Sequence, residues 1–265
     1  MTTDTTTFHE VLGVRIACDD RGAGRSAGGR PLLFLHGFGG DRTDWGALMD
    51  AFQAERRVVA FDAPGHGESD PSPRGYAIEA RAFGLGKVAR ALGLEGAVLV
   101  VHSQGGLGFE AVSENPGLFS ALVTIDAPLF APPEVRGAFE GLLGGLRSEH
   151  WRAALEGMLG QVAFLPTDPA DVREAVTARM LAMPKDVLVA TWAAFLAHDP
   201  APAIARCPVP VLQIESTMPS DRAALMAANP RVEIGRVVGS GHFAQRVVPE
   251  QVAAMIRRFV ALRAA

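Results

Sequence analysis

Residues 99–106 read Leu99–Val100–Val101–His102–Ser103–Gln104–Gly105–Gly106, and the fold turns on this stretch. Residues 97–101 form a short unbroken apolar run, as a parallel strand covered on both faces carries. Two glycines follow Gln104, and then Leu107, Phe109, Ala111 and Val112 recur at helical spacing until Asn115 and Pro116 end the helix. A serine at this switch from strand to helix is held on a tight turn. Its hydroxyl then projects at the carboxyl edge of a sheet. Small residues are needed two positions away, because strand and helix nearly touch there.

Outward from this stretch, strand and helix patterns alternate. Residues 31–35 are a buried strand ending at His36–Gly37, and Trp45, Leu48, Met49 and Phe52 share one helical face. Residues 57–61 form the next strand, 76–92 a helix stopped near Gly93, and 121–125 a strand ending at Asp126. This alternation predicts an α/β fold: a mostly parallel sheet with helices on both faces. From 129 to 202 no strand pattern is found, only helical segments punctuated by Pro132, Pro133, Pro166, Pro169 and Pro184. Alternation resumes with a strand at 209–214, a helix at 223–228, a strand at 232–238 and a last helix from 249 to about 262. The expected organisation is a core of residues 1–128 and 203–265 with a helical insertion at 129–202. Residues 1–8 are expected to be a loose tail, 11–19 a strand in an antiparallel edge hairpin, and 21–30 a flexible turn. There is no internal repeat.

Composition narrows the classes. A chain of 265 residues with 48% hydrophobic content can bury a sizeable core and is unlike a disordered segment. The net charge of −4, from 25 basic and 29 acidic residues, comes with no basic run. Nucleic acid and acidic membrane surfaces are therefore not expected partners. Cys18 and Cys207 lie far apart without metal-ligand spacing and read as reduced, partly buried thiols. No apolar run reaches the roughly 18 residues of a spanning helix, and the threonine-rich start lacks a signal pattern. The expectation is a soluble, cytoplasmic protein acting on a small molecule, with self-association left open.

Three further stretches join the serine turn: His36–Gly37–Phe38–Gly39–Gly40, Asp62–Ala63–Pro64–Gly65–His66–Gly67–Glu68–Ser69, and Gly241–His242–Phe243. In this order and spacing the chain resembles the α/β-hydrolase family, of the small, cap-bearing kind, over most of its length. The resemblance makes the serine turn a nucleophile elbow, G-x-S-x-G. Val101 stands where the family usually has glycine, so a repacked elbow is expected. The insertion following the strand that ends near Asp126 is then the cap.

The resemblance implies Ser103 as nucleophile and His242 as base. A serine hydroxyl is a poor nucleophile at neutral pH and needs a base within hydrogen-bond reach. Imidazole suits that task because it titrates near working pH. The acid that orients it is open in the sequence. The family commonly places it after the strand at 209–214, where this chain reads Glu215–Ser216–Thr217–Met218–Pro219–Ser220–Asp221. Some relatives place it at the end of the strand that follows the nucleophile helix, which here is Asp126. Asp126 is preferred, with Asp221 the alternative, and with Glu215 or a dyad lacking an acid behind it. The backbone N–H groups of Phe38 and Gln104 are the implied oxyanion donors.

His36, His66 and His102 read as loop organisers, and His9, His150 and His198 as surface or cap residues. Asp62 to Ser69 is read as a turn without chemistry. The aromatic and methionine side chains Phe130, Phe139, Trp151, Met158, Phe164, Met180, Met183, Trp192 and Phe195 are expected mostly to pack the insertion. A few are expected to face a pocket for an apolar or partly apolar substrate. Arg136, Arg147, Arg152 and Arg179 are candidates for binding a substrate carboxylate, though most should face solvent. The implied function is a serine hydrolase that cleaves an ester, thioester or lactone through an acyl-enzyme on Ser103, with no cofactor and no metal. The alternatives are a C–C bond hydrolase or cofactor-free oxygenase or lyase on the same fold, and a non-catalytic ligand-binding module.

Overall fold

The computed structural model describes residues 6–22 and 29–264. β1 (Thr7–Val11) and β2 (Val14–Arg21) form an antiparallel hairpin in which Phe8 pairs with Ala17. Two residues with positive φ, Leu12 at 56° and Gly13 at 76°, make its turn. The expected tail is thus corrected: Thr7 and Phe8 are strand residues, and the Arg15 guanidinium covers the Phe8 ring at 4.5 Å. Most of the remaining tail (residues 1–5) and residues 23–28 of the expected turn lie outside the described residues.

β3 (Leu32–Leu35), β4 (Val58–Phe61), β5 (Ala97–His102), β6 (Phe119–Ile125), β7 (Val211–Glu215) and β8 (Val232–Arg236) complete an eight-stranded sheet. Its order is β1-β2-β4-β3-β5-β6-β7-β8, antiparallel at the β1/β2 and β2/β4 pairs and parallel elsewhere. Alternate side chains of one strand serve opposite cores. Leu33, Leu35, Leu99 and Val101 join α2 (Ile78–Ala91) and α3 (Gly105–Glu114) on one face. Leu32, Phe34, Val98 and Val100 join α1 (Gly46–Phe52) and α10 (Pro249–Arg263) on the other. Double coverage is why these strands read as continuous apolar runs.

From β3 the chain moves to β4 on one side and then crosses to β5 on the other. The loops after β3 and β5 therefore diverge at a topological switch point, where open α/β sheets form a crevice at their carboxyl edge. Between β6 and β7 lie α4 (Pro133–Arg147), α5 (Trp151–Met158), a π-turn (Leu159–Ala163), α6 (Ala170–Ala182) and α7 (Lys185–Ala197). They share an apolar cluster that includes Leu146, Leu155, Val176, Leu188 and Trp192, and they cover that crevice. α8 (Ala201–Arg206) instead packs on α3 and on α9 (Arg222–Ala228). Among the described residues no single helix is long and apolar enough to cross a membrane; α6 and α7 pass only as a pair, bent by 102°.

Candidate active site

Ser103 ends β5 with φ +62°, a left-handed conformation that non-glycine residues adopt only when their surroundings impose it. Both flanking hydrogen bonds are three-residue turns: Gln104 N–H donates to His102 O at 2.6 Å, and Gly105 N–H donates to Ser103 O at 2.9 Å. Ser103 N–H is held by Ile125 O of the next strand at 2.8 Å. Two glycines are required by space. A Cβ at Gly105 would stand 2.7 Å from the Ala127 Cβ, and one at Gly37 would stand 3.2 Å from the Ser103 Cβ. Val101 is fully buried, and the helix makes room for it: Gly108 on α3 has no side chain where one would stand 3.1 Å from Val101 Cγ2.

Asp126 follows β6 with φ +48° and has a fully buried side chain. Its Oδ2 accepts Nδ1–H of His242 at 2.8 Å. Its Oδ1 accepts Ser216 N–H at 2.7 Å, and Met218 N–H bonds both oxygens at 3.1 Å. The segment after β7 thus supplies N–H groups to a carboxylate rather than a carboxylate of its own. Asp221 is the N-cap of α9, accepting Ala224 N–H at 2.9 Å. Glu215 is bound by the Arg222 guanidinium, with Nε at 2.9 Å. Neither is hydrogen-bonded to His242. Ser103 and His242 line one cavity, yet no hydrogen bond joins them among the described residues. Such bonds are often open before substrate binds.

His36, His66 and His102 are buried around the site. His36 Nδ1–H donates to Gly37 O at 2.8 Å while its Nε2 accepts Ala63 N–H at 3.0 Å, so one neutral ring ties the loops after β3 and β4 together. His102 Nε2–H donates to the His242 carbonyl at 2.9 Å. Its ring lies 4.5 Å from the His242 ring. Burial pushes all three imidazoles below their usual 6.5, His66 and His102 furthest, so all are neutral. Phe38 N–H has no acceptor among the described residues, whereas Gln104 N–H is engaged by His102 O. The Gln104 side chain accepts a hydrogen bond from Arg81.

The cavity at Ser103 is walled by Phe38, Phe139, Met158, Met180, Trp192 and Phe243, among others. None of its lining residues is Lys, Arg, Asp or Glu, whereas a second cavity that Ser103 and Gln104 also line carries Arg136, Asp199 and Asp221. Of the insertion's arginines, Arg179 pairs with Asp44 at 2.8 Å, Arg152 lies over the Trp151 ring, and Arg136 bonds Leu196 O at 3.2 Å. Trp151 and Met183 pack inside the insertion, and Phe164 stacks on Phe243. Both cysteines are buried and unpaired. Among the described residues no three His, Cys, Asp or Glu side chains gather as metal ligands. Sequence reasoning missed Asp168, a buried carboxylate that holds the His242 loop. Its signal was the segment Pro166–Thr167–Asp168–Pro169, read only as a helix break.

The family model described as "Alpha/beta hydrolase family" matches residues 32–255. The dihydrolipoyllysine-residue acetyltransferase component of an acetoin cleaving system from Cupriavidus necator is 37% identical over 99 residues, covering 37% of this chain. The match spans only 25% of that relative's length. The 2-(acetamidomethylene)succinate hydrolase of Mesorhizobium japonicum is 27% identical over 250 residues, covering 89% of this chain and 90% of that protein. An esterase structure from Thermogutta terrifontis superposes with a TM-score of 0.82 at 22% identity, covering 98% of this chain and all of the other. At that identity the likeness is one of fold.

Proposed function

The chain belongs to the alpha/beta hydrolase family, and from that premise we propose that it is a serine hydrolase cleaving a carboxylic ester, thioester or lactone. The observation that carries this reading is the 2.8 Å bond that buried Asp126 accepts from His242, which lines the same cavity as Ser103. In this mechanism Ser103 Oγ attacks the substrate carbonyl as His242 Nε2 takes its proton. Asp126 accepts the Nδ1–H bond, keeps Nε2 as the basic nitrogen and stabilises the imidazolium. Phe38 N–H receives the developing oxyanion. Gln104 N–H joins it by exchanging its strained bond to His102 O for a better-aligned one. Donors of this kind contribute roughly 3–4 kcal/mol each in acyl-transfer sites. The imidazolium then protonates the leaving group, and water, deprotonated by His242, releases the acid.

The substrate class follows from the cavity. An aromatic and methionine lining without a charged side chain favours a small, neutral, apolar acyl group on this side of Ser103. The helical insertion acts as the cap that closes this cavity. The test is intact-mass labelling with a small fluorophosphonate and peptide mapping of the adduct, followed by a panel of neutral and carboxylate-bearing esters. Stoichiometric adduct on Ser103 and preference for the neutral esters is the expected result. A folded protein left unlabelled would overturn the acyl-enzyme and turn attention to histidine-centred C–C cleavage, oxygenase or lyase chemistry, or to ligand binding alone.

A further inference from the structure

The loop that carries His242 is gripped from two sides. On the core side, Ser216 Oγ–H bonds the Ser240 and Gly241 carbonyls, at 2.6 and 2.9 Å. On the other side the partners come from the helical insertion. Gly241 N–H donates to the Asp168 carboxylate, 3.0 Å from Oδ1 and 3.2 Å from Oδ2. His242 N–H donates to Ala163 O at 2.7 Å, a carbonyl at the end of the π-turn. Asp168 is 3% exposed, and its Oδ2 also accepts Leu165 N–H at 2.9 Å. The same carboxylate therefore shapes the 163–168 turn and holds the next loop against it.

Space says the same as hydrogen bonding. A Cβ at Gly241 would run into the Asp168 carboxylate and stand 2.6 Å from Ala163 O. The glycine before His242 is thus required by the approach of the insertion. Pro166 and Pro169 flank Asp168, and proline φ is fixed near −65°, so the turn that presents the carboxylate is stiff. Two successive backbone N–H groups, those of Gly241 and His242, are thus satisfied by the insertion among the described residues. The imidazole direction is set by the backbone from which it springs. Among the described residues its side chain is hydrogen-bonded to Asp126, and that bond depends on where the backbone places the ring.

We propose that Asp168 is a positioning residue for His242: through Gly241 N–H, the insertion sets the direction of the imidazole towards Asp126 and Ser103. The proposal rests on the serine-hydrolase reading for its effect on rate, but not for its effect on the histidine. The insertion then does more than shape the cavity, because the base is aligned only when the 163–168 turn is seated. A charged acceptor suits this place, since it takes three N–H contacts at once, from Gly241 and Leu165, which an amide oxygen can match only in part.

The experiment compares wild type with Asp168→Asn and Asp168→Ala. The first readout is the slowly exchanging, downfield Nδ1–H proton of His242 in NMR, which reports the bond to Asp126 without any substrate. The second is the fluorophosphonate labelling rate of Ser103, with kcat and KM for a small neutral ester. In Asp168→Ala the Nδ1–H signal should broaden or vanish, and labelling and kcat should fall about 10–100-fold with KM within about threefold. Asp168→Asn, which keeps one acceptor, should fall between alanine and wild type. A folded Asp168→Ala variant with an unchanged Nδ1–H signal overturns the proposal. So does an Asp168→Asn variant that fails to fold, since Asp168 would then serve stability alone. If wild type is not labelled at Ser103, the serine-hydrolase reading fails, while the NMR comparison still decides the role of Asp168.

Discussion

Val101 and Gly108 occupy one space: a Cβ on Gly108 would stand 3.1 Å from Val101 Cγ2 and 3.0 Å from Leu122 Cδ1. The small residue that lets strand and helix meet here stands on α3. A predicted double-mutant cycle follows. Gly108→Ala alone should cost about 1–3 kcal/mol through overpacking, despite the better helix propensity of alanine. In a Val101→Gly background the same change should cost at least about 0.5 kcal/mol less, because one of its two clashes is gone. Chemical denaturation of the four proteins reads this directly, and strict additivity would show that the two positions do not share the space.

The carboxylate bonded to His242 comes from Asp126, not from Asp221 or Glu215. Asp126→Asn should therefore lower kcat/KM for a good ester about 10²–10⁴-fold, chiefly in kcat, because an amide holds the wrong histidine tautomer. Asp221→Asn should remain near wild type, since asparagine is an equally good N-cap. The reverse ranking would assign the acid to the segment after β7. Steady-state kinetics on the two variants, with unfolding midpoints as a control, is the measurement.

Three imidazoles are buried neutral, and this sets how the protein responds to acid. His36, His66 and His102 are 0–1% exposed, with folded-state pKa values below the ordinary 6.5. Below pH 6.5 the unfolded chain binds protons that the folded chain refuses, so stability falls as pH falls. Above about pH 6.5 their contribution is full; below it each costs up to about 1.4 kcal/mol per pH unit. Urea unfolding between pH 7.5 and 5.5 should show this decline. His66→Gln should flatten it by about one proton, and an unchanged slope would mean that His66 is not held neutral by burial.

The apolar runs, the serine between strand and helix, and the helical stretch from 129 to 202 were all legible from neighbours along the chain. A strand's double burial and a helix's periodicity are short-range patterns, so the sequence by itself determined the parallel sheet, the place of Ser103 on a tight turn and the helical character of the insertion. It also offered His242 by its glycine loop. What it left open was decided by residues far apart in the chain. Asp126 and His242 are 116 residues apart, and the Ser216 and Met218 N–H groups that bond the same carboxylate lie 90 and 92 residues from it. Asp168 meets Gly241 across 73 residues. A carboxylate looks alike in sequence whether it caps a helix, pairs with an arginine or turns an imidazole. Only the packed structure determines which N–H groups converge on it, because a buried carboxylate takes its role from the donors that replace water around it.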